Sequence, residues 1–361
     1  MARVQPLVNN MSDAPFEKPK RRPRYSGSHP RQFHEKYKEL NPDRYAEDVA
    51  KIIASGKTPA GTHRSIMVRE ILEVLTPKPG EVAVDATLGY GGHAAELLKA
   101  VLPGGKLLAL DVDPIELPKT EARLRGMNFP AGALLVHRSN FAGLSRVLTA
   151  ENIPGADVLL TDLGLSSMQI DDPSRGFTFK RSGPLDLRMN PQRGQPASAF
   201  LASLDAPRLA QLLEANADEP HALTLARAIV ARQQRTPITT TTALAETVAE
   251  TLRSSPSGHD RQDFDPAIRR VFQALRIAVN DEFGALDTFL RLLPGCLKPG
   301  GRVAMLTFHS GEDRRVKLAF KEGVRAGDYS RIAEEVVRAG AEELRANPRS
   351  ASAKLRWAVR S

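Results

Sequence analysis

Apolar residues at Ile66, Met67, Ile71, Leu72 and Leu75 fall on one face of a helix, and Pro77-Lys78-Pro79-Gly80 ends it. Glu81 to Asp85 (EVAVD) reads as a short buried strand. A glycine-rich turn follows, and then a helix from about His93 to Val101. Pro103-Gly104-Gly105 breaks the chain before a second strand, Lys106 to Leu110, which ends in Asp111. Ala133 to His137 and Asp157 to Leu160 supply a third and a fourth strand. Strands alternating with helical stretches imply right-handed βαβ units and a parallel sheet, so the fold class is α/β.

The pattern changes after residue 170. A charged loop rich in Gly and Pro, Asp171 to Gln195, leads into helical spacing at Leu201, Leu204, Leu209, Leu212 and Leu213. The spacing resumes at Leu223, Leu225 and Ile229, and again at Leu244, Val248 and Leu252. No strand is apparent, so residues 171–265 read as an inserted all-helical domain. One long helix, about Pro266 to Leu293, is predicted to return the chain to the sheet, where Arg302 to Phe308 (RVAMLTF) forms another strand. The expected division is 1–59, a basic extension; 60–170 and 266–325, two parts of one α/β domain; 171–265, the insertion; and 326–361, a C-terminal helix and a basic tail.

Charge sharpens this division at both ends. Lys18 to Arg31 carries six Lys/Arg, three prolines and no acid, which suits a solvated tail or a phosphate-binding arm. A short helix is expected near Asp43 to Ser55. Arg349 to Arg360 has four positive residues and no acid. The whole chain, 361 residues at +9, favours an anionic partner without specifying nucleic acid. Its one cysteine, Cys296, excludes a disulfide framework and a cysteine-built metal site. Neither a secretory signal core nor an apolar run of about 18 residues is present, which points to a cytoplasmic protein with no membrane partner.

The candidate chemistry lies in the first βα turn, Asp85-Ala-Thr-Leu-Gly89-Tyr-Gly91-Gly92-His93. A carboxylate or phosphate can meet backbone N–H groups where such a turn enters a helix. Asp111 follows Gly92 by 19 residues and ends the next strand, where a carboxylate suits ribose hydroxyls. A dinucleotide and S-adenosylmethionine both fit that description. The loop lacks the G-x-G-x-x-G of dinucleotide sites and reads G-x-G-G after an acid, which favours S-adenosylmethionine. The later LKPGGRV turn (297–303) is also typical of class I methyltransferases.

The chain resembles the ribosomal RNA small subunit methyltransferase H family. The resemblance runs in order through THRSIMVREIL (62–72), DATLGYGGHA (85–94), LLALDVDP (107–114), DLGLSSMQIDDPSRGFTFKRSGPLDLRMNP (162–191), RRVFQALRIAVNDE (269–282), LKPGGRVAMLTFHSGEDRRVK (297–317) and NPRSASAKLR (347–356). It implies a Rossmann-like class I methyltransferase with S-adenosylmethionine as cofactor. It implies cofactor contacts at Gly91, Gly92, His93, Asp111, Phe141, Asp162 and Gln169, and methylation of the exocyclic N4 of a cytosine in the P-site region of 16S rRNA. The implied partner is 16S rRNA or the small ribosomal subunit, and neither a metal nor an obligate protein partner is expected. Gly311 departs from the family, which usually has leucine there.

Cytosine N4 is a poor nucleophile because its lone pair is delocalised into the ring. Asp162 is the catalytic candidate, as an acceptor for the amino hydrogens, together with the carbonyls of Leu163 to Ser166. Phe177 or Phe179 is expected to stack on the base. Arg175, Lys180, Arg181, Arg188 and Arg193 are expected to hold phosphates, with an Asp186–Arg188 structural pair as the alternative for that stretch. Ser310 reads as a helix N-cap, and Asp113 as surface-exposed. Two other functions fit the same residues less well: methylation of another RNA or DNA amine, and a non-catalytic ribosome-assembly factor.

Overall fold

The computed structural model describes residues 65–254 and 264–361. The basic arm at 18–31 and the helix expected at 43–55 lie outside them. The sheet has seven strands: β1 (Val82–Asp85), β2 (Lys106–Asp111), β3 (Leu134–Arg138), β4 (Ala156–Asp162), β5 (Leu297–Thr307), β6 (Tyr329–Ile332) and β7 (Lys354–Arg360), in the order β3-β2-β1-β4-β5-β7-β6. The first five pair in parallel; β7 runs antiparallel between β5 and β6.

Strands covered on both faces must be apolar on both, and β2 and β4 are close to continuous apolar runs. Leu107, Ala109, Val158 and Leu160 point to one face. There they meet α1 (Val68–Leu75), α2 (Gly92–Val101) and α3 (Glu116–Arg125) through Ile71, Leu98 and Leu124. Leu108, Leu110, Leu159 and Met305 point to the other face. That face is covered by α4 (Leu144–Ala150) together with two helices that follow the insertion, described below. A five-residue helix, α5 (Ser167–Asp171), follows β4.

The insertion contributes α6 (Ala197–Ala202), α7 (Ala206–Ala217), α8 (Ala222–Arg235) and α9 (Thr241–Arg253). Their core, including Leu209, Leu213, Leu225, Ile229, Leu244 and Val248, continues into α10 (Phe264–Asn280) as far as Leu275. The single helix expected over 266–293 is therefore two. Asp281 adopts a left-handed conformation (φ 49°) and separates α10 from α11 (Glu282–Cys296). Asn and Asp tolerate that conformation better than most residues because their short side chains bond locally. Leu286, Phe289 and Leu293 of α11, with Val316 and Phe320 of α12 (Ser310–Ala326), complete the second face of the sheet.

The C-terminal region also differs from expectation. After a short helix, α13 (Ala341–Ala346), the presumed basic tail is strand β7, central between β5 and β6. Arg356 there is buried because its guanidinium grips Asp313 at 2.6 Å. The basic residues hid the strand because their charge is neutralised by a residue far away in sequence. Among the described residues, no helix is long and apolar enough to cross a membrane.

Candidate active site

In open parallel sheets ligands bind beyond the carboxyl ends of the strands, where the strand order reverses. Here the reversal lies between β1 and β4, and the strands end there in Asp85 and Asp162, with Asp111 one strand further out. A cavity of about 990 Å³ opens over these ends. Gly91, Gly92, His93, Asp111, Phe141, Asp162 and Gln169 all line it, so the structure brings together all seven residues singled out from the sequence.

The glycine turn is held in shape by both of its neighbours. Gly91 has φ +76° and caps α2 in a left-handed conformation that glycine adopts without steric cost. A Cβ on Gly92 would collide with the Ser65 hydroxyl, which would have to turn away to admit it. The Gly89 amide donates to Asp111 Oδ2 at 2.7 Å, and the Gly89 carbonyl accepts from the Thr120 hydroxyl at 2.6 Å. Asp111 Oδ1 takes the Asp113 amide at 2.9 Å. Phe141 sits in a 3₁₀ turn after β3 and sets its ring edge-on to Phe289, with centroids 5.4 Å apart.

Asp111, Asp162 and His93 line the floor, and Asp85 is buried close to them. Burial pushes Asp85 up to about 7, partly offset by His93 nearby. Burial, with the charge of Glu312 added, pushes Asp162 up to about 7. Burial also raises Asp111, against the amide bonds it accepts. His93 is pushed down by burial, toward the neutral ring. Its Nε2 lies 2.8 Å from the Ile66 carbonyl, which can only accept, so Nε2 carries the proton. The bare Nδ1 then faces Asp162 Oδ2 at 3.6 Å. Thr87 fixes the end of β4 through its hydroxyl, which accepts from the Asp162 amide at 2.6 Å.

Several residues play parts the sequence did not show. Arg175, expected to hold phosphate, is buried and bonds Asp113 Oδ2 at 2.8 Å. Asp113 is buried rather than exposed. Arg188 closes a bidentate pair on Asp186 at 2.7 and 2.8 Å, the structural alternative. Lys180, Arg181 and Arg193 are exposed. The Gln169 side chain is spent inside the protein: Nε2 donates to Asp113 at 2.7 Å and Oε1 accepts from the Ser166 amide at 2.9 Å. It therefore faces the cavity with its polar ends already engaged. The N-cap of α12 is His309 rather than Ser310, because the imidazole accepts from the Glu312 amide while Glu312 reaches back to the Phe308 amide at 2.9 Å. This pair, together with Arg276, Glu282 and Phe283, lines the cavity wall away from the glycine turn. Gly311 makes room for that wall: a Cβ there would come within 2.6 Å of the Phe283 ring.

The residues fit a sulfonium nucleoside. They offer bare backbone at a helix start, a carboxylate at the ribose position, an aromatic ring after β3, and a cavity at the upper end of the usual ligand range. Fold and site together define a Rossmann-like methyltransferase that draws its methyl group from S-adenosylmethionine. Residues 60–361 match the model of the MraW methylase family, and the chain belongs to that family. Among curated relatives, "Ribosomal RNA small subunit methyltransferase H 2" of Alkaliphilus metalliredigens is 49% identical, over 96% of this chain and 99% of that one. "Ribosomal RNA small subunit methyltransferase H 1" of Lachnoclostridium phytofermentans is 48% identical, over 95% and 93% of the two chains.

Proposed function

We propose that this protein methylates the exocyclic N4 of a cytosine in the P-site region of 16S rRNA, by direct in-line transfer to a base turned out of its stack. The family and the names of the relatives support ribosomal RNA of the small subunit as substrate. One observation carries the chemistry: Asp162, on the cavity floor, ends β4 where the acceptor loop begins. When bound, S-adenosylmethionine supplies an electrophilic methyl group.

Gly91, Gly92, Asp111 and Phe141 would hold the donor, the glycines through bare backbone, Asp111 at its ribose and Phe141 at its adenine. Asp162 would accept an amino hydrogen of the cytosine, which localises the nitrogen lone pair, and would take the proton released as the N–C bond forms and the sulfonium–methyl bond breaks, its electron pair staying on sulfur. Phe177 and Phe179 both reach the cavity, and Phe179 leans on Phe272 with centroids 5.5 Å apart, a backed aromatic surface for the extruded base. Lys180 and Arg269 are exposed at the cavity and suit the flanking phosphates. An exocyclic amine cannot be reached inside a duplex, so extrusion is required. Orientation of this kind lowers barriers by about 7–11 kcal/mol in favourable cases. Cys296 is buried at the end of α11 with its thiol pushed up to about 11, which leaves it unsuited to attack a pyrimidine ring.

The test is to incubate the full chain and methyl-labelled donor with undermodified small subunits, free 16S rRNA and duplex DNA. Digested nucleosides are then resolved by mass spectrometry. N4-methylcytidine from the ribosomal substrates alone is expected. Label on another nucleoside, or preferential labelling of DNA, would overturn the assignment.

A further inference from the structure

The donor side of the cavity is built by the ends of β1, β2 and β4. The acceptor side is built by the loop over residues 177–189 and by α10. A run of buried hydrogen bonds joins the two. Asp113, two residues beyond Asp111, is 1% exposed. Its Oδ1 accepts from the amides of Ile115 (2.8 Å) and Glu116 (3.3 Å), and its Oδ2 from Gln169 Nε2 (2.7 Å) and Arg175 Nη1 (2.8 Å). Arg175, 7% exposed, turns Nη2 to the carbonyls of Met189 at 2.9 Å and Arg188 at 3.4 Å.

Asn280, the last residue of α10, grips the same stretch from the other side. Its Nδ2 donates to the Leu187 carbonyl and its Oδ1 accepts from the Met189 amide, both at 2.7 Å. Between the two grips Leu187 holds φ +63°, a conformation that branched side chains rarely adopt. Such a residue persists where its surroundings over-determine it. Leu187 and Met189 both line the cavity.

We propose that Asp113, Arg175, the backbone of 187–189 and Asn280 form a strut that sets the gap between the methyl donor and the acceptor wall, with Arg175 and Asn280 as positioning residues. The proposal rests on the methyl-transfer reading of this cavity. Its physical basis is the steep dependence of in-line transfer on distance, where a misplacement of about 1 Å costs roughly a hundredfold in rate. A guanidinium spans Asp113 and two carbonyls at once; a lysine ammonium in its place reaches one side or the other. An ion pair that only stabilised the fold would leave the rate at saturating substrate unchanged.

Two variants at opposite ends of the strut test this, Arg175→Lys and Asn280→Asp. The second keeps an acceptor for the Met189 amide but sets an oxygen against the Leu187 carbonyl. The full chain is used for kcat and KM with undermodified small subunits, for calorimetric binding of S-adenosylhomocysteine, and for amide exchange over residues 186–190. Both variants are expected to lose about 30- to 100-fold in kcat. KM and the calorimetric Kd should stay within about threefold, and amides of the strut should exchange faster. Unchanged kcat in a folded variant with faster exchange would overturn the proposal. So would a loss of cofactor-product affinity as large as the loss in kcat. If Arg175→Lys fails to fold, Asn280→Asp decides alone. A wild-type chain that transfers no methyl group in the same assay sinks the functional reading itself; active wild type with equally active variants sinks only the strut.

Discussion

The two sides of the cavity are made in different ways. The glycine turn is shaped locally, since Gly89 and Asp111 meet across 22 residues as a turn and the end of the next strand, and one bond across 75 residues, Asp162 amide to Thr87 hydroxyl, ties β4 to them. The acceptor side is assembled from afar. Arg175 reaches Asp113 across 62 residues and Asn280 reaches Leu187 across 93, while the C-terminal Arg349 comes back to Ser167 and Asp171 beside the acceptor loop. A small ligand of fixed shape can be held by one supersecondary unit. In the proposed reaction a base delivered by a large RNA needs a wall whose position is fixed relative to that unit, the part proposed for these side chains from distant elements.

Perturbing each side should give separable signatures. The largest effect is expected where they meet: Asp162→Asn should lower kcat by about 10²- to 10⁴-fold, the span of a lost acceptor and proton site, in a single-turnover assay at saturating donor. On the donor side, Asp111→Asn removes the charge that holds the Gly89 amide. A charge-assisted bond is worth roughly 1.5–3 kcal/mol, so calorimetry should show Kd for S-adenosylhomocysteine rising about 10- to 100-fold, with kcat at saturating donor little changed. A large kcat loss in Asp111→Asn would erase the distinction between the two sides.

The pH dependence sharpens it further. Asp162 sits near 7 because of burial and Glu312, and in the proposed mechanism only its ionised form can take the released proton. The rate should therefore rise with pH through about 7, falling about tenfold between pH 8 and pH 6, in a profile of single-turnover rates. A flat profile would remove Asp162 from the proton's path. The smallest effect is expected at Arg314, whose pair with Asp218 at 2.7 Å is exposed on both sides. Arg314→Ala should cost about 0–1 kcal/mol in denaturant unfolding and leave transfer unchanged.

The same contrast explains what could be read from the sequence. The glycine turn and Asp111 were legible because their spacing along the chain is the spacing of one βα unit. The alternation of strands and helices over residues 66–170 was legible for the same reason. Arg175 was misread because a sequence shows its charge but not Asp113, which neutralises it. β7 was misread likewise, since Arg356 looks like part of a basic tail until Asp313 is seen beside it. The break at Asp281 escaped because apolar spacing continues across it in both helices. His309 was passed over as a cap because Ser310 is the commoner capping residue and stands next to it.

The central claim is that the edge formed by β1, β2 and β4 seats a sulfonium nucleoside in the glycine turn with Asp111 as an anchor. Calorimetric titration of the purified full chain with S-adenosylhomocysteine tests it most directly, beside the same titration of Asp111→Ala. Saturable uptake at one site per chain, lost or severely weakened in the variant, is the expected result. Absence of binding to the unaltered chain, or equal affinity in the two proteins, would contradict the account.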